Sequence, residues 1–150
     1  MKNKIFVGEF IGSALLVMAI VGSGIMAESL TNDTAVMLLA NAVATGAALY
    51  FLIVSISDIS GAHFNPFVTL AMYLSKKIKS QLLPVYFTAQ ILGCLTGVML
   101  ANFFFDYSLI ELSSKSRSGI NVFVSEIIAT FGLIFIIFRT IKGGKVLVAT

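Results

Sequence analysis

The side chains able to do chemistry in these 150 residues are few, and most stand alone. His63 is the only histidine and Cys94 the only cysteine, so neither a metal cluster nor a nucleophile with its own base can be assembled from them. Cys94 lies in an apolar stretch and reads as a small packed hydrophobe. Two acids, Glu9 and Glu126, also stand within apolar stretches, where a carboxylate binds a proton or a ligand or braces another part of the chain. The one concentration of polar groups is Ser60-Gly61-Ala62-His63-Phe64-Asn65-Pro66-Phe67. Asn65 is a favoured helix cap, Pro66 suits the first helical position, and Gly61 permits a sharp backbone turn. The carbonyls of Gly61, Ala62 and His63 would accept hydrogen bonds from a passing solute, and the Asn65 amide would donate one. The positive end of a helix starting at Pro66 would repel cations. This is chemistry for the passage of a neutral molecule; no enzyme activity, cofactor or metal is expected.

The elements that must position these groups follow from composition. The chain is 58% hydrophobic and 11% charged with a mean hydropathy of +1.00, against about 25% charged residues in a soluble domain. Four apolar stretches approach the roughly 20 residues that cross a hydrocarbon core of about 30 Å. They run from about Ile5 to Met26, Ala35 to Ser57, Leu82 to Phe105 and Val122 to Ile141, with Glu28, Asn32 and Asp33 in the loop after the first. The first is too long for the apolar run of a cleaved signal peptide and is kept as a span. The net charge of +3 does not point to nucleic acid, because the basic residues cluster between the stretches, at headgroup level. Polar residues within or beside the spans, Thr45, Thr69, Gln90 and Thr130, read as interhelical hydrogen-bonding groups.

Asn65 to Leu74 is too short to span: about ten residues at 1.5 Å make a helix of about 15 Å. It is expected to dip in from one side with its amino end near mid-depth. Irregular backbone from Ser60 to Phe64 is tolerated there only where it is buried in protein or lines a wet cavity. Lys2, Lys4, Lys76, Lys77, Lys79, Arg139, Lys142 and Lys145 are eight of the ten basic residues and fall on one side of the spans; Lys115 and Arg117 fall on the other. Both termini are therefore expected in the cytoplasm, in a multi-pass protein of the cell membrane. The Lys76, Lys77 and Lys79 group reads as an interfacial anchor. Spans one and four also share a pattern, with Glu9 falling on Glu126, Gly12 on Ala129 and Ser13 on Thr130. An odd number of crossings separates the two, so the repeat is inverted. The reading is one membrane domain over 1–150, with a first repeat over 1–105 and the opening of a second over 121–141.

The run SGAHFNPFVTLA resembles the first Asn-Pro-Ala loop of the aquaporin and glycerol-facilitator family, and EFIGS, YFTAQILG and SEIIATF resemble its neighbouring segments. The likeness covers essentially the whole chain. It implies an all-α membrane protein, here four transmembrane helices and one re-entrant half-helix, that passively conducts water or small uncharged solutes. By resemblance Asn65, Pro66 and His63 take the loop's signature positions, and Glu9 and Glu126 take the acids that hold re-entrant loops. Three departures stand out. Phe67 replaces the family's alanine where two half-helices touch. Thr45 occupies the aromatic filter position, which implies a wider filter and solutes of the glycerol or metalloid-acid type. The second Asn-Pro loop is absent, so a complementary carboxyl-terminal half or an oligomer is expected as partner, beside the lipid bilayer. Two other functions compete: a four-span proton-coupled exporter using Glu9, and a conduction-silent truncated product.

Overall fold

The computed structural model describes residues 1–111 and 118–142, with side chains as far as residue 140. Every regular element among them is helical: α1 (Lys2–Leu30), α2 (Thr34–Ser60), α3 (Pro66–Leu74), a 3-10 turn (Ser80–Leu82), α4 (Leu83–Phe104) and α5 (Ile120–Lys142). Four of these are long and apolar enough to cross a membrane, α4 being counted together with its 3-10 turn. Lys115, Arg117 and Lys145, used above in reading orientation, lie outside the described residues.

α1, α2 and α5 outrun the apolar stretches that announced them, whereas α4 falls just inside its own. No proline interrupts the first one, and α1 continues through Glu28 until Thr31 turns extended. Glu28 thus belongs to the last turn of α1 and not to the following loop. That loop is only Thr31, Asn32 and Asp33, because Asp33 caps α2 by accepting from the amides of Ala35 at 2.8 Å and Val36 at 3.3 Å. At 1.5 Å per residue α1 is about 44 Å long, more than the hydrocarbon core, so it tilts or stands proud of it.

α1 packs between α2 and α4. Against α4 the two backbones touch, since Ala89, Gly93, Gly97 and Ala101 recur every fourth residue along one face of α4. A Cβ at Gly93 would stand 2.5 Å from the carbonyl oxygen of Phe10, and one at Gly97 2.3 Å from that of Ala14. Close approach of this kind is how helices associate where no hydrophobic effect separates protein from lipid. We expect Gly97→Val to lower thermal stability in detergent by about 2 kcal/mol, since overpacking against backbone cannot be relieved by a rotamer change. An unchanged melting curve would show that the contact is loose.

α1 and α2 are clipped at their other end by Asn41, whose Nδ2 donates to Ile20 O at 2.7 Å and Ser23 Oγ at 3.1 Å. α3 ends in a left-handed Lys76 (φ 58°), with Lys77 N bonded to Met72 O at 2.9 Å and Lys76 N to Tyr73 O at 2.9 Å. Lys77 then lies 4.9 Å from the centre of the Phe138 ring of α5. The Lys76 to Lys79 group therefore meets the end of α5 that carries Arg139, and both sit at one end of the molecule. Apart from α3, little packs on α5, and most of its side chains are exposed.

Candidate functional site

The expected irregular segment is present, one residue shorter than read from sequence. α2 extends to Ser60 and stops at Gly61 (φ 92°), whose amide closes the helix on Ser57 O at 2.9 Å. Ala62 (φ 50°) and Phe64 (φ 48°) then adopt the left-handed region as well, each at roughly 1–2 kcal/mol for a residue bearing a Cβ. Such strain persists only where surroundings impose it. Here the imposing group is the fully buried carboxylate of Glu9 on α1. Its Oε1 accepts from Ser60 Oγ at 2.7 Å and His63 N at 3.0 Å; its Oε2 accepts from Phe64 N at 2.8 Å and Gln90 Nε2 at 2.8 Å. Ser60 Oγ in turn accepts from Ala62 N at 3.1 Å, and the Tyr86 hydroxyl donates to Ser60 O. The Phe64 ring seats on Gly12, where an added Cβ would come within 1.9 Å of it. Gly12→Ala should therefore dislodge the ring and loosen the loop, visible as faster amide exchange at Phe64; exchange at the original rate would mean that the ring finds another seat.

This arrangement gives the loop a polarity. Each amide from Gly61 to Phe64 donates to the protein's own groups, while no described residue donates to the carbonyls of Gly61, Ala62 or His63. Asn65 continues the pattern. Its Oδ1 caps α3 by accepting from Phe67 N at 2.8 Å and Val68 N at 3.4 Å, which leaves Nδ2 without a protein partner. Three acceptors and one donor thus stand unspent beside the positive end of α3. Depth follows from packing. Leu16, midway along α1, packs on the cluster of Ile56, Ala62 and Phe64, and nine residues of α3 return about 14 Å toward the basic end.

A second tier holds the first. Thr69 Oγ1 lies 3.1 Å from His63 Nδ1, 3.1 Å from Asn65 O and 3.0 Å from Gln90 Nε2. The His63 ring stacks on Tyr86 with centroids 4.5 Å apart. Thr69 and Gln90 do hydrogen-bond between elements, as read from sequence. Ser60, Gly12 and Tyr86 were not singled out as site residues: a serine before a glycine, a glycine among apolar residues and a tyrosine at a span's start carry no local signal.

The other candidate residues are placed differently. Glu126, which by resemblance takes the place of a loop-holding acid, is exposed on α5, and no described loop is hydrogen-bonded to it. Thr45 is half-buried on α2 with its hydroxyl sealed and unpaired, and it makes no hydrogen bond to the loop. Beside it Ala42, Val43, Gly46 and Ala47 line an open groove of about 410 Å³. Pro66 opens α3, and the Phe67 ring that follows is 61% exposed.

Comparison with known proteins agrees with this geometry. The family described as Major intrinsic protein matches residues 2–148. The chain is 43% identical over 136 residues to Aquaglyceroporin AqpS of Rhizobium meliloti (strain 1021), covering 91% of this chain and 58% of that protein. It is 34% identical over 148 residues to Probable aquaporin TIP2-2 of Oryza sativa subsp. japonica, covering 95% and 58%. With Aquaporin NIP3-1 of Arabidopsis thaliana the identity is 34% over 140 residues, covering 87% and 43%. The chain thus spans about half the length of the curated relatives it matches. A family match running through Glu9, the Ser60 to Pro66 loop and Gln90 to the far end of α5 makes this multi-pass membrane chain a member of the major intrinsic protein family.

Proposed function

We propose that the chain forms one half of a passive path for water or small neutral solutes, entered along the carbonyls of Gly61, Ala62 and His63 and turned at mid-depth by the Asn65 amide. The observation that carries this reading is the loop's polarity: its own amides are consumed by Glu9, Ser57 and Ser60, while its acceptors and one side-chain donor are left for a solute. Small groups at Thr45 and Gly46 favour a wide filter and a solute of glycerol or metalloid-acid size, in keeping with the aquaglyceroporin name of one relative. Glu126 is assigned to bracing a second re-entrant loop from a complementary half or a neighbouring copy, with 121–141 opening the inverted repeat. Eight of ten basic residues on one side favour cytoplasmic termini in the cell membrane.

The exporter reading needs an acid free to exchange protons or bind cargo. Glu9 is spent on four protein donors, and that reading loses its residue.

Asn65→Asp tests the path. Aspartate keeps the α3 cap but turns the free donor into an acceptor. In proteoliposomes holding the chain with its complementary half, stopped-flow flux should fall by about tenfold or more, the equivalent of about 1.4 kcal/mol for a lost hydrogen bond. Flux equal to wild type would overturn this path.

A further inference from the structure

We propose that His63 is a specificity-determining side chain of this path, held by Thr69 as the tautomer protonated on Nδ1, so that its bare Nε2 offers an acceptor to a hydroxyl-bearing neutral solute. The inference rests on the path proposed above and adds to its backbone acceptors a side-chain one.

The argument is a count of protons around Thr69 Oγ1, which has one hydrogen to give and two lone pairs to fill. Gln90 is fixed first. Its Nε2 faces Glu9 Oε2 at 2.8 Å, and turning the amide over would set its oxygen against a carboxylate. The second hydrogen of Nε2 therefore reaches Thr69 Oγ1 at 3.0 Å. Asn65 O, 3.1 Å from Thr69 Oγ1, can only accept; it takes the Thr69 amide at 3.0 Å on one lone pair and the hydroxyl proton on the other. The remaining lone pair of Oγ1 faces His63 Nδ1 at 3.1 Å and is filled only if Nδ1 carries hydrogen. The other tautomer would take the hydroxyl proton for Nδ1 and leave two oxygens, Thr69 Oγ1 and Asn65 O, in contact with no proton between them. Flipping the ring would put carbon against Thr69, and the stack on Tyr86, with planes 14° apart, holds the ring's orientation.

Nε2 is consequently a lone pair with no protein donor. Among the described residues the sealed, unpaired polar side-chain atoms are Ser13 Oγ, Thr45 Oγ1 and Gln90 Oε1; Nε2 is not one of them, so it is not sealed although His63 is buried. It opens beside exposed Gly61, where a Cβ would stand 3.3 Å from it. Gly61 thus does two things: it supplies the left-handed turn, and it leaves the nitrogen uncovered. A solute with an O–H, such as water or a polyol, meets this acceptor at the level of the Gly61 and Ala62 carbonyls, whereas one without a donor leaves it unpaired.

Because His63 is the only histidine, nitrogen-15 labelling of histidine in the whole chain in lipid bilayers gives two ring signals. Nδ1 is expected in the protonated range with a directly bonded proton. Nε2 is expected in the bare range, with magnetisation transfer from water protons. A proton on Nε2, on both nitrogens, or no transfer from water would overturn the proposal. These signals are read without flux, so a reversed tautomer sinks this assignment alone, whereas wild-type flux in Asn65→Asp sinks the path. In Thr69→Val a large share of the proton should move to Nε2; an unchanged spectrum would show that Thr69 does not set the tautomer. Should that variant misfold, the unmodified chain still decides.

Discussion

Glu9→Ala is expected to free the loop between α2 and α3 while leaving the three long helices around it assembled. Of the four donors on the carboxylate, Ser60 Oγ and Gln90 Nε2 can turn to new partners, but the amides of His63 and Phe64 are fixed in the backbone. Two buried amides without acceptors cost about 1–3 kcal/mol each. The strain at Ala62 and Phe64 is then no longer compensated. Amide exchange at His63 and Phe64 should accelerate at least about 30-fold, the equivalent of about 2 kcal/mol. Exchange at Gly97, in the α1/α4 contact, should hold. Glu9→Gln keeps one acceptor and should fall between. Equal protection of the loop in all three proteins would show that Glu9 is not what imposes its shape.

The second large effect concerns flux. Supplied as a separate polypeptide, the chain presents one half-helix among its described residues, and α3 at about 14 Å covers about half of the roughly 30 Å core. Copies inserted in one direction bring every α3 in from the same face, and the distribution of basic residues favours one direction. Liposomes holding this polypeptide alone should therefore shrink at the rate of bare lipid under an osmotic step. Adding a complementary carboxyl-terminal half should raise the rate by about an order of magnitude or more, the equivalent of about 1.4 kcal/mol off the barrier. Phe67→Ala should raise it further, because the ring is exposed at the start of α3, the end that the proposed path sets against a second half-helix. Robust flux from the polypeptide alone, abolished by Asn65→Asp, would show that copies complete one another.

The half-helix was legible because its signals are local. Asn65 and Pro66 fix its start, and a short apolar run ending in lysines fixes its length, so Pro66–Leu74 emerged close to expectation. Glu9 was legible because an acid among apolar residues demands an explanation. That it holds a loop came from the resemblance; which groups it holds became legible only with Ser60 and Gln90, which lie 51 and 81 residues away, and no spacing rule reaches that far. Gly12 failed for a related reason: its meaning is the ring of Phe64, which the chain brings to it from another element. For Glu126 the repeat gave the depth of Glu9 but no partner: its side chain is exposed on α5, and the segment it is proposed to hold is not among the described residues. The ends of α1 and α2 were underestimated because hydropathy marks the apolar middle, whereas Thr31, Asp33 and Gly61 set where the backbone stops.

The close seat of α4 on α1 also dictates an order of events during synthesis. Two side chains that fix the loop, directly or through Glu9, are Tyr86 and Gln90, and both belong to α4, which leaves the ribosome after α1, α2 and α3. At about 5–20 residues per second, the 81 residues between Glu9 and Gln90 take roughly 4–16 s to make. For those seconds Glu9 lacks its fourth donor, and from its own synthesis until α4 follows the Asn65 turn has no wall behind it. The nascent re-entrant segment must therefore wait at the membrane surface or in the insertion machinery until α4 arrives, and only then sink to its final depth.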